Sequence, residues 1–216
     1  MDAHISAPKL AEVNWDGDTA YDPRCHCFLE AGRHLRQLPV GSKCLVASLM
    51  QRFDKVDVLK LRLDLCDLTG TAEGFNSFMD QTIRLPNCDA LRLRVSLVDH
   101  HHNFTSTILH LLRRCDSTRK VSVKSYPCPL SCLCRLPESC KADGITLDSL
   151  EEVKITFITS SYKGMELLEQ LARCHAPSLK RSVINCELFR DGPETKELEE
   201  VCRMFCPDII VKFNVI

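Results

Sequence analysis

The chain has 216 residues, 44% of them apolar and 26% charged, with 28 basic side chains against 29 acidic ones. That length can bury a proper core, and so even a charge balance gives no sign of a nucleic-acid or membrane-surface partner, since both favour a basic excess. No apolar stretch approaches the roughly 18 residues a membrane helix needs, and residues 1–8 lack the apolar core of a secretory leader; a cytoplasmic or nuclear protein is expected.

In chain order, residues 9–15, 34–40 and 58–65 alternate apolar and polar side chains, as half-buried strands do. Between the second and third, Val46, Leu49, Met50 and Phe53 fall on one helical face. A strand is predicted over 90–97, then a helix over 103–114 carrying Ile108, Leu111 and Leu112, with Thr105 near its cap. Strands over 119–123 and 150–155 follow, then a helix over 163–174 with Met165, Leu168, Leu171 and Ala172 on one side. A strand over 179–184, a helical stripe of Leu198, Val201, Cys202 and Phe205, and a strand over 209–215 complete the series.

Successive strands start roughly 25 to 30 residues apart, which suits one strand and one helix per repeat. A doubly wound sheet buries both faces of its strands, which then read as continuous apolar runs. Here Leu91-Arg92-Leu93-Arg94-Val95 alternates with charge, so one face is wet. The predicted fold is therefore α/β: a right-handed, leucine-rich-repeat-like solenoid of strand–helix repeats with a parallel, curved sheet.

Fourteen cysteines are many, yet Cys44, Cys66, Cys88, Cys115, Cys174, Cys202 and Cys206 sit inside apolar patterns. They read as reduced, buried thiols that pack as small hydrophobes, with Cys115, Cys174 and Cys206 under helix-to-strand turns. Cys128, Cys132, Cys134 and Cys140 form the one metal-like set, among Pro127, Pro129 and Pro137. Four thiolates could complete a tetrahedral zinc site, but intervals of three, one and five residues are not those of paired zinc knuckles. A proline-stiffened loop with free thiols is the alternative, and no metal or other cofactor is expected. Cys25-His26-Cys27 could add ligands only through a chance of folding. His100, His101 and His102 read as a solvated loop before a helix. Asp148, Glu151 and Glu152 read as wet-face charges, and Arg113-Arg114 and Lys180-Arg181 as solvated pairs. No phosphate-cradling glycine loop, nucleophile elbow or His-Glu-x-x-His helix occurs, and no enzymatic activity is expected.

The strings Ser6-Ala7-Pro8-Lys9-Leu10-Ala11-Glu12-Val13 and His110-Leu111-Leu112-Arg113-Arg114-Cys115 resemble the C-terminal leucine-rich-repeat portion of plant F-box proteins, especially the large grass family that ends in an FBD-like region. More specific is Leu147-Asp148-Ser149-Leu150-Glu151-Glu152-Val153-Lys154-Ile155, followed by Leu171-Ala172-Arg173-Cys174-His175-Ala176-Pro177-Ser178-Leu179-Lys180-Arg181. The resemblance implies repeats over 1–146, with an irregular Cys/Pro loop near 127–143, and an FBD-like region over 147–216 that continues the same sheet. It also implies the substrate receptor of an SCF-type ubiquitin ligase, in which an F-box holds the Skp adaptor and the repeats hold the target. The chain opens at a repeat strand with no F-box before it, so a truncated or stand-alone repeat protein is the alternative expectation.

In a solenoid the outward residues of the strands form the binding face. Those expected here are Arg62, Asp64, Arg92, Arg94, Ser122, Lys124, Glu152, Lys154, Lys180 and Lys212. The set is mostly basic in a neutral chain, and an acidic or phosphorylated protein segment is the expected partner.

Overall fold

In a computed structural model, residues 3–7, 9–15, 21–41, 47–64, 82, 85–96, 104–125, 145–158, 164–188 and 210–215 are described. The elements in order are β1 (Ala3–Ser6), β2 (His26–Leu29), β3 (His34–Gly41), α1 (Ala47–Arg52), β4 (Lys55–Asp64) and β5 (Asn87–Ser96). There follow α2 (Phe104–Arg114), β6 (Lys120–Ser125), β7 (Glu152–Ile158), α3 (Gly164–Arg173), β8 (Arg181–Leu188) and β9 (Ile210–Val215). The protein is α/β. Strands β3 to β9 make a seven-stranded sheet whose spatial order is the chain order, and every pairing is parallel. The sheet is open, with β3 and β9 at its two ends. Because the order never reverses, it has no crevice where neighbouring strands diverge, the usual seat of a ligand in doubly wound sheets.

Period-two alternation decides which face is dry. Leu91, Leu93 and Val95 are buried while Arg92 and Arg94 between them are exposed. The register carries that parity across the sheet: Val40, Leu61, Leu93, Val123, Ile155 and Ile184 lie side by side in one buried row. Leu49 and Met50 of α1, Ile108, Leu111 and Leu112 of α2, and Leu167 and Leu168 of α3 join these strand residues in one core. Each of these helices therefore covers the same face, as the one-sided stripes require.

The helix-to-strand junctions repeat in detail. Phe53, Cys115 and Cys174 each follow directly on a helix, are buried, and donate their N–H to the carbonyl three residues back, at 3.3, 3.2 and 3.1 Å. A tight turn then leads into the strand: Thr118 bonds back to Cys115, Leu150 to Leu147 and Leu179 to Ala176, at 3.0, 3.1 and 3.2 Å. The same turn joins Leu10 to Ala7 at 3.0 Å.

Two parts differ from the sequence expectation. Residues 9–15 lie parallel to β3 but bridge it only at Glu12–Gln37 and Trp15–Val40. The N–H groups of Arg36 and Gln37 both donate to the Ala11 carbonyl, at 2.7 and 3.2 Å. The pair β1–β2 was not anticipated, since four residues per strand are too few for a period to be read. The helical stripe at 198–205, Val46, Cys44, Cys66, Cys202, Cys206, the histidines at 100–102 and the Cys128–Cys132–Cys134–Cys140 set lie outside the described residues.

Candidate functional site

The wet face of the sheet is built from rows of side chains that the parallel register sets shoulder to shoulder. One row runs Pro39, Lys60, Arg92, Ser122, Lys154, and the next runs Gly41, Arg62, Arg94, Lys124, Thr156, Asn185, Lys212. Neighbouring strands stand about 4.8 Å apart and alternate residues about 6.6 Å apart along a strand. Five cations, Lys60, Arg62, Arg92, Arg94 and Lys124, thus rise from a patch of roughly 10 by 7 Å. They line a depression of about 290 Å³ together with Pro39, Val40, Leu61 and Leu93. Its shape follows from the same rows. On strand β3, Pro39 and Gly41 project little beside Lys60 and Arg62, while Gln37 Oε1 accepts a hydrogen bond from Lys60 Nζ at 2.6 Å. On the far side the rows change chemistry to Ser122, Thr156 and Asn185, and Asn185 Nδ2 donates to Thr156 Oγ1 at 3.3 Å.

Like charges on facing positions of neighbouring strands are destabilising. The beginnings of the strands show the opposite arrangement. Arg33 grips Asp54 through two guanidinium nitrogens, and His34 Nε2 meets Asp57 Oδ1 at 2.7 Å. Glu151 lies between Arg119, at 2.6 Å, and Lys180, at 3.2 Å. Glu152 lies between Lys120, at 3.8 Å, and Arg181, at 3.4 Å. Hydrogen bonds from Arg119 and then Lys180 hold the Glu151 carboxyl below the usual glutamate range, and Arg33 does the same to Asp54.

The structure thus brings together Arg62, Arg92, Arg94, Ser122 and Lys124, with Lys154 exposed one strand further along the Arg92 row. Asp64 is the last residue of β4, opposite Ser96. Glu152 belongs to the same face but to the charge-paired starts of the strands. Lys180 precedes β8 and pairs with Glu151, away from the cationic rows. Lys212 lies on the outermost strand, opposite Asn185. Lys60 and Pro39 line the depression although sequence reasoning passed over them. The signal was present, since both share the parity of Arg62.

Elsewhere the titratable groups are structural. Cys115 and Cys88 are buried, and the bond to Cys88, followed by burial, pushes the Cys115 thiol well up. Thr118 closes this cluster, its Oγ1 donating to the Cys88 carbonyl at 3.1 Å. Burial pushes Cys174 up to about 11. The Cys115 and Cys174 thiols stay protonated and pack, as their apolar surroundings require. His110 is buried with Nε2 at 2.9 Å from Thr82 Oγ1. Burial, then Arg114 and Arg113, brings its pKa down to about 4, so it is neutral near pH 7. Cys25-His26-Cys27 lies beside an aromatic cluster in which the His26 ring sits 4.9 Å from Trp15 and 5.7 Å from Tyr21. His26 Nδ1 accepts the Asp22 N–H at 2.9 Å. Among the described residues no group of His, Cys, Asp and Glu is placed to hold a metal ion, and no helix is long and apolar enough to cross a membrane. Comparison with protein-family models, with curated proteins and with solved structures finds no match for this chain.

Proposed function

We propose that the chain is a protein-interaction module, a leucine-rich-repeat-like solenoid whose wet strand face holds a partner protein, and that it performs no catalysis. The observation that carries this reading is the pair of cationic rows set side by side on β4, β5 and β6 around a depression. Positive charge gathered at one place on the face suits a partner of complementary charge. The solenoid reading rests on the chain-order sheet with helices on one face. Packed helices need 8–10 Å between axes where strands need about 4.8 Å, so repeats of this kind curve with the strand face inward.

Within that class, the resemblance of residues 147–155 and 171–181 to grass F-box proteins favours the substrate-recognition part of an SCF-type ubiquitin ligase. A stand-alone scaffold or decoy with no ligase link is the second reading. The first experiment is affinity capture from cell extract with the chain and with its Arg92→Glu/Arg94→Glu double variant. Proteins retained by the former should be lost from the latter at least tenfold, with the fold intact by circular dichroism. Equal recovery would remove the sheet face as the binding surface. Captured proteins that turn over through an SCF ligase would favour the receptor reading, and stable partners the scaffold.

A further inference from the structure

We infer that the wet face carries a two-part docking strip across β5 to β9, which takes an extended segment of a partner protein bearing an acidic side chain and, four residues away, a large aliphatic one. The inference rests on the sheet face being the partner-binding surface and names what that surface recognises.

The register supplies the strip. Arg92, Ser122, Lys154, Val183 and Ile210 lie side by side on five successive strands, so one row passes from cationic to aliphatic. Arg92 and Lys154 are exposed, and among the described residues neither side chain has an ion pair. The cations around Arg92 differ. Lys60 donates to Gln37 Oε1 at 2.6 Å, and Arg62, Arg94 and Lys124 are engaged within the protein. The acid-binding half of the strip is therefore Arg92 and Lys154, with the Ser122 hydroxyl between them. The planar fork of Arg92 can hold a carboxylate through two parallel hydrogen bonds, and Lys154 adds a point charge.

Two residues mark the aliphatic half. Ile184 packs in the core, whereas Val183 before it points to the other face, is only 6% exposed, and lies outside that core. Ile210 is opposite Val183 on the outermost strand and is 44% exposed, one of two large apolar side chains so exposed among the described residues. An aliphatic side chain laid over this pair withdraws apolar surface from water. The separation of the halves sets the spacing of the partner. From Ser122 to a point between Val183 and Ile210 is two and a half strand intervals, roughly 12 Å. Side chains four residues apart on an extended segment point the same way and stand about 13 Å apart, whereas those three apart point to opposite sides. A nucleic-acid backbone would meet the cations but offers no aliphatic group at that distance.

The test uses the full chain and fluorescent peptide pools in polarisation titrations at about 50 mM salt, where exposed charges are weakly screened. The first pool fixes aspartate and leucine four residues apart, in both orders, with all other positions degenerate. The other pools place them three apart, replace aspartate by asparagine, or replace leucine by serine. The first pool should bind more tightly than each of the others by about tenfold or more. Arg92→Gln/Lys154→Gln should erase the preference for aspartate over asparagine and keep that for leucine over serine. Ile210→Thr, which keeps a β-branched residue in the strand, should do the reverse. Equal binding of the four-apart and three-apart pools by the parent chain would overturn the strip. A dimer of the parent chain in sedimentation that is lost in Ile210→Thr would overturn it too, since a second copy would then be the occupant. If cellular partners are still lost on Arg92→Glu/Arg94→Glu in either case, the sheet face remains the docking surface and only the two-part recognition falls. If capture is also unchanged, both fall.

Discussion

The two ends of the sheet's wet face solve the same electrostatic problem in opposite ways. Where the strands begin, carboxylates meet cations of neighbouring strands, and Glu151 is shared by Arg119 and Lys180 and Glu152 by Lys120 and Arg181. Two residues and more further along, on β4, β5 and β6, cation faces cation across the register. Parallel in-register strands impose this choice, because a residue type repeated at one position of each unit is stacked on itself about every 4.8 Å. Alternating signs turn the stack into a charge ladder that ties repeats together. Repeating one sign turns it into a field aimed away from the protein. The first arrangement neutralises charge between neighbouring strands; the second gathers positive charge at one place on the face.

That contrast holds only on a rigid sheet, and the largest predicted effect removes the sheet from beneath both ends. Leu93 sits between Arg92 and Arg94 in sequence and is 2% exposed on the opposite face. Leu93→Ala leaves a cavity in the core and should lower unfolding free energy by roughly 2–5 kcal/mol, read from the urea midpoint. Partner capture should weaken through loss of folded protein, in proportion to the fraction unfolded. Arg92→Glu/Arg94→Glu should do the reverse and abolish capture in a folded chain.

Acid offers a second way to separate the ends, but His110 must be accounted for first. Its folded-state pKa of about 4 lies below the ordinary histidine value near 6.5. As pH falls from about 6.5 to 4 the unfolded chain takes up the proton and the folded chain does not, so stability is lost across that window, on the order of 2–3 kcal/mol. His110→Gln, which can still reach Thr82, should flatten this slope while lowering stability at pH 7. A slope that persists unchanged in the variant would assign the acid sensitivity elsewhere.

The strand–helix alternation was legible because period-two and 3.6-residue patterns report which side of each element is buried, and every regular strand of the long sheet overlaps a run of alternating residues. The parity of Arg62, Arg92, Arg94, Ser122 and Lys124 could likewise be read, since alternating buried residues on each side fix a strand's face. What could not be read was lateral. Glu152 and Lys154 share a strand face, yet one is consumed by Lys120 and Arg181 while the other stands exposed; only the register with β6 and β8 separates them. Lys180 was expected within a strand over 179–184, but it precedes β8 and meets Glu151 from there. The depression is also invisible in any single strand, because it comes from Pro39 and Gly41 lying beside Lys60 and Arg62, more than 20 residues away.

The smallest effects carry the sharpest test, because one kind of substitution should have opposite signs at the two ends. Arg92→Gln removes a cation that faces Lys60, and at low salt it should leave stability unchanged or raise it, by no more than about 0.5 kcal/mol. Glu151→Gln removes the anion shared by Arg119 and Lys180 and leaves two cations facing an amide, so the urea midpoint should fall slightly. Glu151 has a folded-state pKa below its unfolded value, so its contribution is fully present above the ordinary glutamate pKa of about 4.3 and is lost as pH falls through the folded value. The gap between Glu151→Gln and the parent chain, measured on a His110→Gln background, should therefore close below about pH 4.3. Both differences should shrink in about 0.5 M salt, where screening shortens the reach of exposed charges to a few ångströms. If Arg92→Gln were the destabilising change and Glu151→Gln the neutral one, Arg92 would be held by the fold, and the case for an anionic partner over β4, β5 and β6 would fail with it.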